Sequence, residues 1–405
     1  MKNLIVGQSG GPTAAINSSL VGVIKAGADS EQIGKVYGMV NGVAGMMERQ
    51  IIDLDDLSHD NEKLDLLQKS PASYLGSCRY KMPNDDEGVY EKIFEILEEY
   101  EIGYFFYIGG NDSMDTAAKL SKYAATHGKD IKFVGVSKTI DNDLPEMDHT
   151  PGFGSAAKYI AATVREVATD SSVYAAKSVE IIEVMGRDAG WLAGSSVLAS
   201  LGGLGPDLIY LPERAFDLDK FYSDISEKLK VKNHVLIVIS EGIKDADGNY
   251  ICNTFSSMHK DAFGHKQLGG TAKVIEDLVK QRFGIKVRGI ELNTPQRCAS
   301  HILSKTDIEE AFKVGYTAVE SALLGKTGVV IAIKRVSDNP YKVYYEAVDV
   351  DKVANVARTV PDDYINDRGN FVTEKFIDYI KPLVEGEIYP EYENGVPKFL
   401  VLGLE

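Results

Sequence analysis

The stretch YFFYIGGNDSMDTAAKLSKYAATHGKDIKFVGVS, residues 104–137, decides the fold of this chain. It contains an apolar run of strand length at 104–110, a stretch with helical periodicity at 115–128 and a second apolar run at 132–137. A strand, a helix and a strand in this order predict two parallel strands joined by a right-handed crossover, and therefore a doubly wound α/β sheet. Ligands bind such sheets beyond the carboxyl ends of the strands.

The same alternation recurs along most of the chain. Strands are predicted within residues 3–8, 178–186 and 234–242, and helices within residues 14–26 and 154–168. Because each of these strands is followed by a loop or a helix with small and polar residues, the unusual side chains of the sequence cluster just after strands.

The C-terminal part of the chain has a different pattern. Residues 328–335 and 341–350 predict an antiparallel hairpin, and a helix is predicted near residues 373–383. A chain of 405 residues is also long for one hydrophobic core. We therefore predict an α/β protein with two doubly wound, Rossmann-like domains and an extended C-terminal region.

The charge and the cysteine content exclude several classes of protein. The net charge of -16 argues against nucleic acid and anionic membranes as partners. Cys78, Cys252 and Cys298 lie far apart, which fits a reducing compartment. The first apolar run is too short for a signal peptide, and the run at 235–239 is far too short for a membrane span. A cytoplasmic protein with a locally built phosphate site is expected.

Two glycine-containing segments follow predicted strands. Gly10 and Gly11 stand between a strand and a helix, where backbone N–H groups can approach an anion. Gly110, Asn111 and Asp112 follow the second strand. A tight turn explains the first segment and helix capping explains the second nearly as well as a binding site does.

The segment Lys138-Thr139-Ile140-Asp141-Asn142-Asp143 favours a functional site. Two carboxylates, a lysine and a threonine directly after a buried strand suit a general base, a metal-facing carboxylate and a phosphate-pairing ammonium. A solvated loop does not require these charges at this position.

Isolated charged residues follow three further apolar segments. Arg187 and Arg297 can bind a phosphate or carboxylate, although a structural ion pair explains each equally well. Glu241 follows the strand at 234–240. No GxGxxG follows the first strand and no complete P-loop occurs, which counts against a nicotinamide-dependent dehydrogenase.

Taken in order, seven motifs resemble those of the phosphofructokinase family: SGG (9–11), LGSCR (75–79), GGND (109–112), KTIDND (138–143), EVMGR (183–187), SEG (240–242) and QR (296–297). The resemblance extends from residue 3 to about residue 335. It implies the phosphofructokinase fold and a glycolytic transfer of a phosphoryl group to the 1-hydroxyl of fructose 6-phosphate. It also implies a donor-binding domain, residues 1–150 with about 300–350, and a fructose-phosphate-binding domain, residues 151–299 with about 351–405.

The resemblance assigns roles residue by residue. Asp141 matches the catalytic base, and Gly11 and Arg79 match residues that contact the donor. Arg288 matches an arginine that reaches the sugar phosphate of a neighbouring subunit, so a homodimer or homotetramer is expected. Thr294 stands where the family commonly has His or Tyr. The substrate-binding positions are Thr139, Ile140, Asp141, Met185, Gly186, Arg187, Glu241, Arg288, Thr294 and Arg297.

Two positions distinguish the phosphoryl donor. ATP-using members of the family have glycine at both, whereas this chain has Asp112 and Lys138, as pyrophosphate-using members do. A carboxylate at Asp112 repels an ATP α-phosphate, and the ammonium of Lys138 neutralises pyrophosphate. We therefore expect a pyrophosphate-dependent enzyme, with an ATP-dependent one as the alternative.

The resemblance also implies Mg²⁺. Asn111 stands where the family usually has a metal-coordinating Asp, and its amide oxygen is a neutral donor, so Asp143 is expected to share the metal. A non-catalytic regulatory subunit that binds sugar phosphates is a further alternative. The presence of Asp141, Asp143 and Arg187 counts against it.

Overall fold

The computed structural model describes residues 1–84, 86–254 and 270–403. Its strands are β1 (Lys2–Gln8), β2 (Ile33–Met39), β3 (Ile51–Asp53), β4 (Ile102–Gly109), β5 (Lys132–Ser137), β6 (Ser178–Val184), β7 (Leu208–Tyr210), β8 (His234–Ser240), β9 (Lys286–Glu291), β10 (Leu303–Ser304), β11 (Val329–Asp338), β12 (Tyr341–Asp349), β13 (Glu387–Ile388), β14 (Tyr392–Glu393) and β15 (Val396–Pro397). Its α-helices are α1 (Ile16–Ala28), α2 (Gly42–Met47), α3 (Asp55–His59), α4 (Asn61–Lys69), α5 (Glu87–Glu99), α6 (Asn111–Thr126), α7 (Phe153–Ser172), α8 (Trp191–Ser195), α9 (Leu218–Val231), α10 (Thr271–Phe283), α11 (Pro295–Cys298), α12 (Lys305–Leu323) and α13 (Glu374–Ile380).

The larger sheet has the strand order β12–β11–β5–β4–β1–β2–β3 within the described residues. The pairs from β11 to β2 are parallel, whereas β3 and β12 join the two edges in antiparallel orientation. Leu4, Ile5 and Val6 of β1 are fully buried, as a central strand covered by helices on both faces requires. The predicted hairpin is confirmed, since β11 and β12 pair from Val329↔Asp349 to Asp338↔Tyr341.

A second, smaller sheet consists of four parallel strands in the order β7–β8–β6–β9 in the described part of the chain. The C-terminal region packs on it, because Phe376 and Ile380 of α13 share one hydrophobic cluster with Ile182 and Leu236. Two mostly parallel sheets with helices between their strands confirm the predicted α/β fold class. The assignment of one sheet to the donor and the other to the sugar phosphate stays a prediction, and its second domain includes residues 255–269, which lie outside the described residues.

The chain crosses between the two sheets more than once. After β9 it returns through α12, which packs against α1 beside the larger sheet. Glycines permit the close approach: a Cβ at Gly22 of α1 would collide with the backbone oxygen of Phe312, and one at Gly315 with that of Ser19.

One predicted helix boundary was wrong. The helix after β4 begins at Asn111, four residues before the predicted start at Asp115, and Gly110 caps it. The first backbone N–H groups of a helix have no partner within the helix and favour nearby acidic and polar side chains. Asn111 and Asp112 therefore belong to the first helical turn and not to the loop before it.

Within residues 1–84, 86–254 and 270–403, no helix combines the length and the apolar character needed to cross a membrane.

Candidate active site

The ammonium of Lys138 lies beneath the glycine loop, residues 9–11. It donates hydrogen bonds to the backbone oxygens of Ser9 at 3.1 Å and Gly11 at 2.7 Å, and its side chain is buried. Burial lowers the pKa of Lys138 to about 8, with Asp141 opposing the shift and the charges of Arg297 and Arg79 adding to it. These interactions bring together four charged residues from distant parts of the sequence.

The glycine loop is held by the segment that carries Arg79. Gly10 has φ +76° and donates its N–H to the backbone oxygen of Cys78 at 3.1 Å, while the Ser77 hydroxyl donates to the Gly10 oxygen at 2.7 Å. A Cβ at Gly11 would lie 3.3 Å from Nη1 of Arg297. The backbone of the glycine loop therefore lies close to the cationic side chains of Lys138 and Arg297.

Asp141 lies in the acidic loop, residues 138–143. Its backbone N–H donates to the Thr139 hydroxyl at 3.2 Å, and that hydroxyl lies 3.4 Å from Oδ2 of Asp141. Burial raises the pKa of Asp141, and the nearby charges of Arg187 and Lys138 oppose the shift. A partly buried carboxylate with a raised pKa and two cations beside it is suited to accept a proton.

Asp143 and Asn111 provide oxygen atoms suited to a hard cation. Burial, together with the charge of Asp141, raises the pKa of Asp143 to about 7. The amide nitrogen of Asn111 donates to the backbone oxygen of Val356 at 3.0 Å, whereas its Oδ1 is buried without a hydrogen-bond partner in the described structure. Such an orphaned oxygen fits Mg²⁺, which takes one or two carboxylates plus substrate phosphates. No cluster of three His, Cys, Asp or Glu suited to a metal occurs among the described residues.

Asp112 occupies the first turn of α6, next to Asn111. The helix start lies close to the acidic loop, because a Cβ at Gly110 would lie 3.6 Å from the backbone oxygen of Lys138. Asp112 therefore lies at the N-terminus of α6, where the helix dipole stabilises a carboxylate. This end of the helix is also the one that lies close to the acidic loop.

Arg187 and Arg297 approach the acidic loop from the second sheet. Each has an Nε atom that is buried without a hydrogen-bond partner in the part of the chain described. Backbone packing fixes the position of Arg187, since a Cβ at Gly242 would collide with its carbonyl oxygen and Gly186 has φ +117°. Buried, unpaired guanidinium donors favour an anionic ligand over a structural ion pair.

Glu241 faces the same group of charges. Burial and the charge of Asp141 raise the pKa of Glu241 to about 7, with the charge of Arg187 opposing the shift. Residues from the ends of β1, β4, β5, β6 and β8 therefore surround one polar centre, as the carboxyl ends of parallel strands predict.

Comparisons with known proteins agree with this arrangement. The family model described as Phosphofructokinase matches residues 3–290. The chain belongs to the phosphofructokinase family. It is 41% identical over 413 residues to the pyrophosphate–fructose 6-phosphate 1-phosphotransferase of Methylococcus capsulatus, covering 99% of this chain and 96% of that protein. It is 41% identical over 402 residues to the enzyme of the same name from Halomonas elongata, covering 98% and 95%. The crystal structure of a pyrophosphate-dependent phosphofructokinase from Nitrosospira multiformis superimposes with a TM-score of 0.90 at 37% identity, covering 98% of this chain and 96% of that one.

Not every residue implied by the family resemblance lies in the polar centre of this phosphofructokinase. Arg288 is half exposed, with its Nη1 3.4 Å from Oε1 of Glu180. Thr294 is exposed before α11. Ile140 is buried in the hydrophobic cluster of the second sheet, and the Met185 N–H donates to Oε1 of Gln296 at 3.0 Å. These four residues therefore add no charge to the polar centre.

One residue of this centre has no signal in the sequence. Arg358 belongs to the C-terminal region and follows no motif, yet its guanidinium donates to the backbone oxygens of Asn142 at 2.9 Å and Met147 at 2.7 Å. The backbone N–H of Arg358 donates to the backbone oxygen of Asp143 at 2.6 Å. More than 200 residues separate these partners, so only the folded chain reveals the contact.

Two surface cavities lie apart from this centre. The larger, about 340 Å³, is lined by residues 206–228 and 366–371, and the smaller, about 200 Å³, adjoins it. Arg368 in both cavities pairs with Asp224 and Glu227. The phosphofructokinase motifs lie elsewhere, and we place the chemistry at the polar centre because it holds the unpaired donors.

Replacing Glu241 with glutamine should stabilise the ligand-free protein above neutral pH. The carboxyl has a pKa of about 7 in the fold and an ordinary value of 4.5, so ionising it costs the folded state more than the unfolded one. Stability from this group is complete below its unfolded pKa and is lost as pH rises through the folded value. Thermal unfolding should show a gain on the order of 1–3 kcal/mol at about pH 8 that vanishes near pH 4.5.

The exposed Glu320→Gln serves as the control and should show no such pH-dependent gain. Equal stability of wild type and Glu241→Gln at about pH 8 would show that the Glu241 carboxylate is already stabilised by its neighbours.

Proposed function

We propose that this protein transfers a phosphoryl group from pyrophosphate to the 1-hydroxyl of fructose 6-phosphate, forming fructose 1,6-bisphosphate and phosphate, as a reversible step of glycolysis. The observation that carries the proposal is the ammonium of Lys138, which is buried beneath the glycine loop, while Asp112 occupies the first turn of α6. The two relatives named above carry the name of this activity.

The donor side consists of Arg79, Lys138 and the backbone of Gly11. Two cations in a partly buried site bind a compact polyanion more strongly than they do in water, since the effective dielectric constant is lower. Asp112 adds a negative charge at the position where a nucleotide would place its α-phosphate. The resemblance supplies that placement, and the repulsion between the two anions opposes ATP.

The sugar side consists of the residues that reach the centre from the second sheet. The buried Nε atoms of Arg187 and Arg297 have no hydrogen-bond partner in the described residues and can donate to an anion such as the 6-phosphate. Glu241 and Thr139 provide hydrogen-bonding groups for the sugar hydroxyls, and the family resemblance adds Met185 and Gly186 to this side of the site. Arg288 and Thr294 are exposed on this chain, and we propose that Arg288 serves the site of a neighbouring subunit in a homodimer or homotetramer.

The residues present fit Mg²⁺, which Asn111 Oδ1 and Asp143 would hold. When bound, the metal ion neutralises charge on the phosphoryl oxygens. The Val356 oxygen accepts the Asn111 amide N–H, and the amide oxygen of Asn111 is buried without a hydrogen-bond partner in the described residues.

Asp141 acts as the general base. The 1-oxygen forms a bond to the transferred phosphorus, the bond from that phosphorus to the bridging oxygen breaks, and the hydroxyl proton passes to the Asp141 carboxylate. In a loose transition state the proton moves late, and positioning provides most of the rate enhancement. The raised pKa of Asp141 makes it a better proton acceptor, and Lys138 and Arg79 stabilise the departing phosphate.

The reverse reaction tests the proposal. Because pyrophosphate and the sugar bisphosphate have comparable transfer potential, the purified protein should convert fructose 1,6-bisphosphate and phosphate to fructose 6-phosphate and pyrophosphate. Production of fructose 6-phosphate can be followed in a coupled assay, with phosphate and with ADP as alternative acceptors. A reverse reaction that requires ADP and ignores phosphate would instead indicate the ATP-dependent alternative.

A further inference from the structure

We propose that the C-terminal brace, residues 355–360, is a positioning element that assembles the donor and metal side of the active site through Arg358. The inference rests on the proposed function, since it concerns the positions of the proposed base and metal residues. It assigns a role to a segment that lies beyond every motif of the site.

The brace contacts the first turns of α6. The Val356 oxygen accepts the amide N–H of Asn111 at 3.0 Å, and the Asn355 amide donates to Oδ1 of Asp115 at 3.0 Å. The first of these bonds decides which end of the Asn111 amide is used. Because the nitrogen is occupied by the brace, the buried Oδ1 is left available for a cation.

The brace also contacts the acidic loop. The Arg358 guanidinium donates to the backbone oxygens of Asn142, Met147 and Asp148 at 2.6–3.3 Å, and the Arg358 N–H donates to the Asp143 oxygen. Asn142 has φ +55°, a strained conformation for a non-glycine residue. Five hydrogen bonds donated by Arg358 to carbonyls at and after this residue hold the backbone that carries Asp143.

The third contact is with the segment that follows Arg187. The Arg358 guanidinium lies 4.6 Å from the centre of the Trp191 ring, and the Trp191 Nε1–H donates to the Arg358 oxygen at 3.3 Å. Glu213 accepts N–H groups from both Val360 and Gly190 at 2.9 Å. One short segment therefore connects three elements whose relative positions define the site.

The chemistry of Arg358 favours positioning over a general role in folding. Within the described residues its donors go to backbone oxygens and the Tyr379 hydroxyl, and it forms no ion pair with a carboxylate. Five donors in a rigid fork can fix several carbonyls at once, which a lysine ammonium cannot do. Partners that orient metal ligands in this way usually change metal affinity or activity 10–100-fold when removed, roughly the size of effect expected here.

The test compares Arg358→Lys and Arg358→Met with wild type in three measurements. The first is kcat with pyrophosphate, expected to fall about 10–100-fold in Arg358→Met and less in Arg358→Lys. The second is Mn²⁺ binding in the presence of pyrophosphate, followed by electron paramagnetic resonance, expected to weaken about 10-fold. The third is fructose 6-phosphate affinity by calorimetry, expected to stay within about 2-fold because the guanidinium donates to carbonyls of residues 142–148, and Arg187 and Arg297 keep their own side chains.

Two control variants separate positioning from loss of folding. Arg368→Met removes another arginine of the C-terminal region, on the surface and paired with Asp224. Ile380→Val removes one methyl group from the buried core of α13 and leaves every side chain of the brace unchanged. Both should keep kcat, Mn²⁺ binding and sugar affinity per folded molecule.

The inference is overturned if both Arg358 variants keep kcat and Mn²⁺ binding, or if all three measurements fall together in proportion to the folded fraction. Failure of the proposed function has a different signature: wild type itself would not turn over pyrophosphate. If wild type uses ATP, the same comparison with Mn²⁺ and ATP still tests the brace, because no contact of Arg358 depends on the donor.

Discussion

Replacing Asp141 with asparagine should lower kcat at least ~10²–10⁴-fold while leaving the affinity for fructose 6-phosphate nearly unchanged. Asparagine keeps the shape of the side chain and its contact with Thr139 but cannot accept the proton of the 1-hydroxyl. Steady-state kinetics of the purified variant in both directions provide the measurement, since one group serves as base in one direction and as acid in the other.

Loss of folding is not expected to contribute to this result. The pKa of Asp141 is raised by burial, so the folded ligand-free protein bears a cost for ionising it near neutral pH. A neutral asparagine removes that cost, and Asp141→Asn should melt at or above the wild-type temperature at about pH 8. Asp130→Asn, on the exposed loop before β5, is the control and should keep full activity. A kcat for Asp141→Asn within about 10-fold of wild type would mean that another group takes the proton.

The second prediction concerns the donor. The double variant Asp112→Gly with Lys138→Gly should reduce kcat/KM for pyrophosphate at least ~10²–10³-fold, because it removes a preorganised cation from a buried site. The same change removes the negative charge that opposes an α-phosphate. The ratio of kcat/KM for pyrophosphate to that for ATP should therefore fall by a factor on the order of 10³.

A matched control keeps the charge balance constant. Asp65→Ala with Lys69→Ala also deletes one carboxylate and one ammonium, from an ion pair on α4 away from the acidic loop. It should leave the donor ratio unchanged. A double variant at Asp112 and Lys138 that retains the wild-type ratio would remove the electrostatic basis of the donor assignment.

Local patterns predicted most of the fold. The apolar runs predicted β1, β4, β5, β6 and β8, and the turn before Tyr341 predicted the C-terminal hairpin. The start of α6 was predicted four residues late, because Asn111 and Asp112 are ordinary residues both before a helix and in its first turn. The sequence alone does not distinguish these two positions when glycine acts as the cap.

The centre of the site was predicted because parallel strands bring their carboxyl ends together. This rule places Lys138, Asp141, Arg187 and Glu241 near one another without knowledge of the tertiary contacts. Arg358 escaped prediction, since its partners lie more than 200 residues earlier and a guanidinium bound to carbonyls leaves no pattern.

Two of the predicted substrate-binding residues lie outside the polar centre for a different reason. Arg288 and Thr294 lie at the surface of the single chain, and their predicted roles come from the family resemblance. The role proposed for Arg288 requires a second copy of the chain, which no pattern within one sequence can position.

The most direct test of the central claim is a forward assay of the purified wild-type protein with fructose 6-phosphate and Mg²⁺, in which pyrophosphate and ATP are compared side by side. Burial of the Lys138 ammonium beneath the glycine loop, together with the carboxylate of Asp112 in the first turn of α6, predicts rapid formation of fructose 1,6-bisphosphate from pyrophosphate and little or none from ATP. Turnover with ATP that equals or exceeds turnover with pyrophosphate would contradict the account.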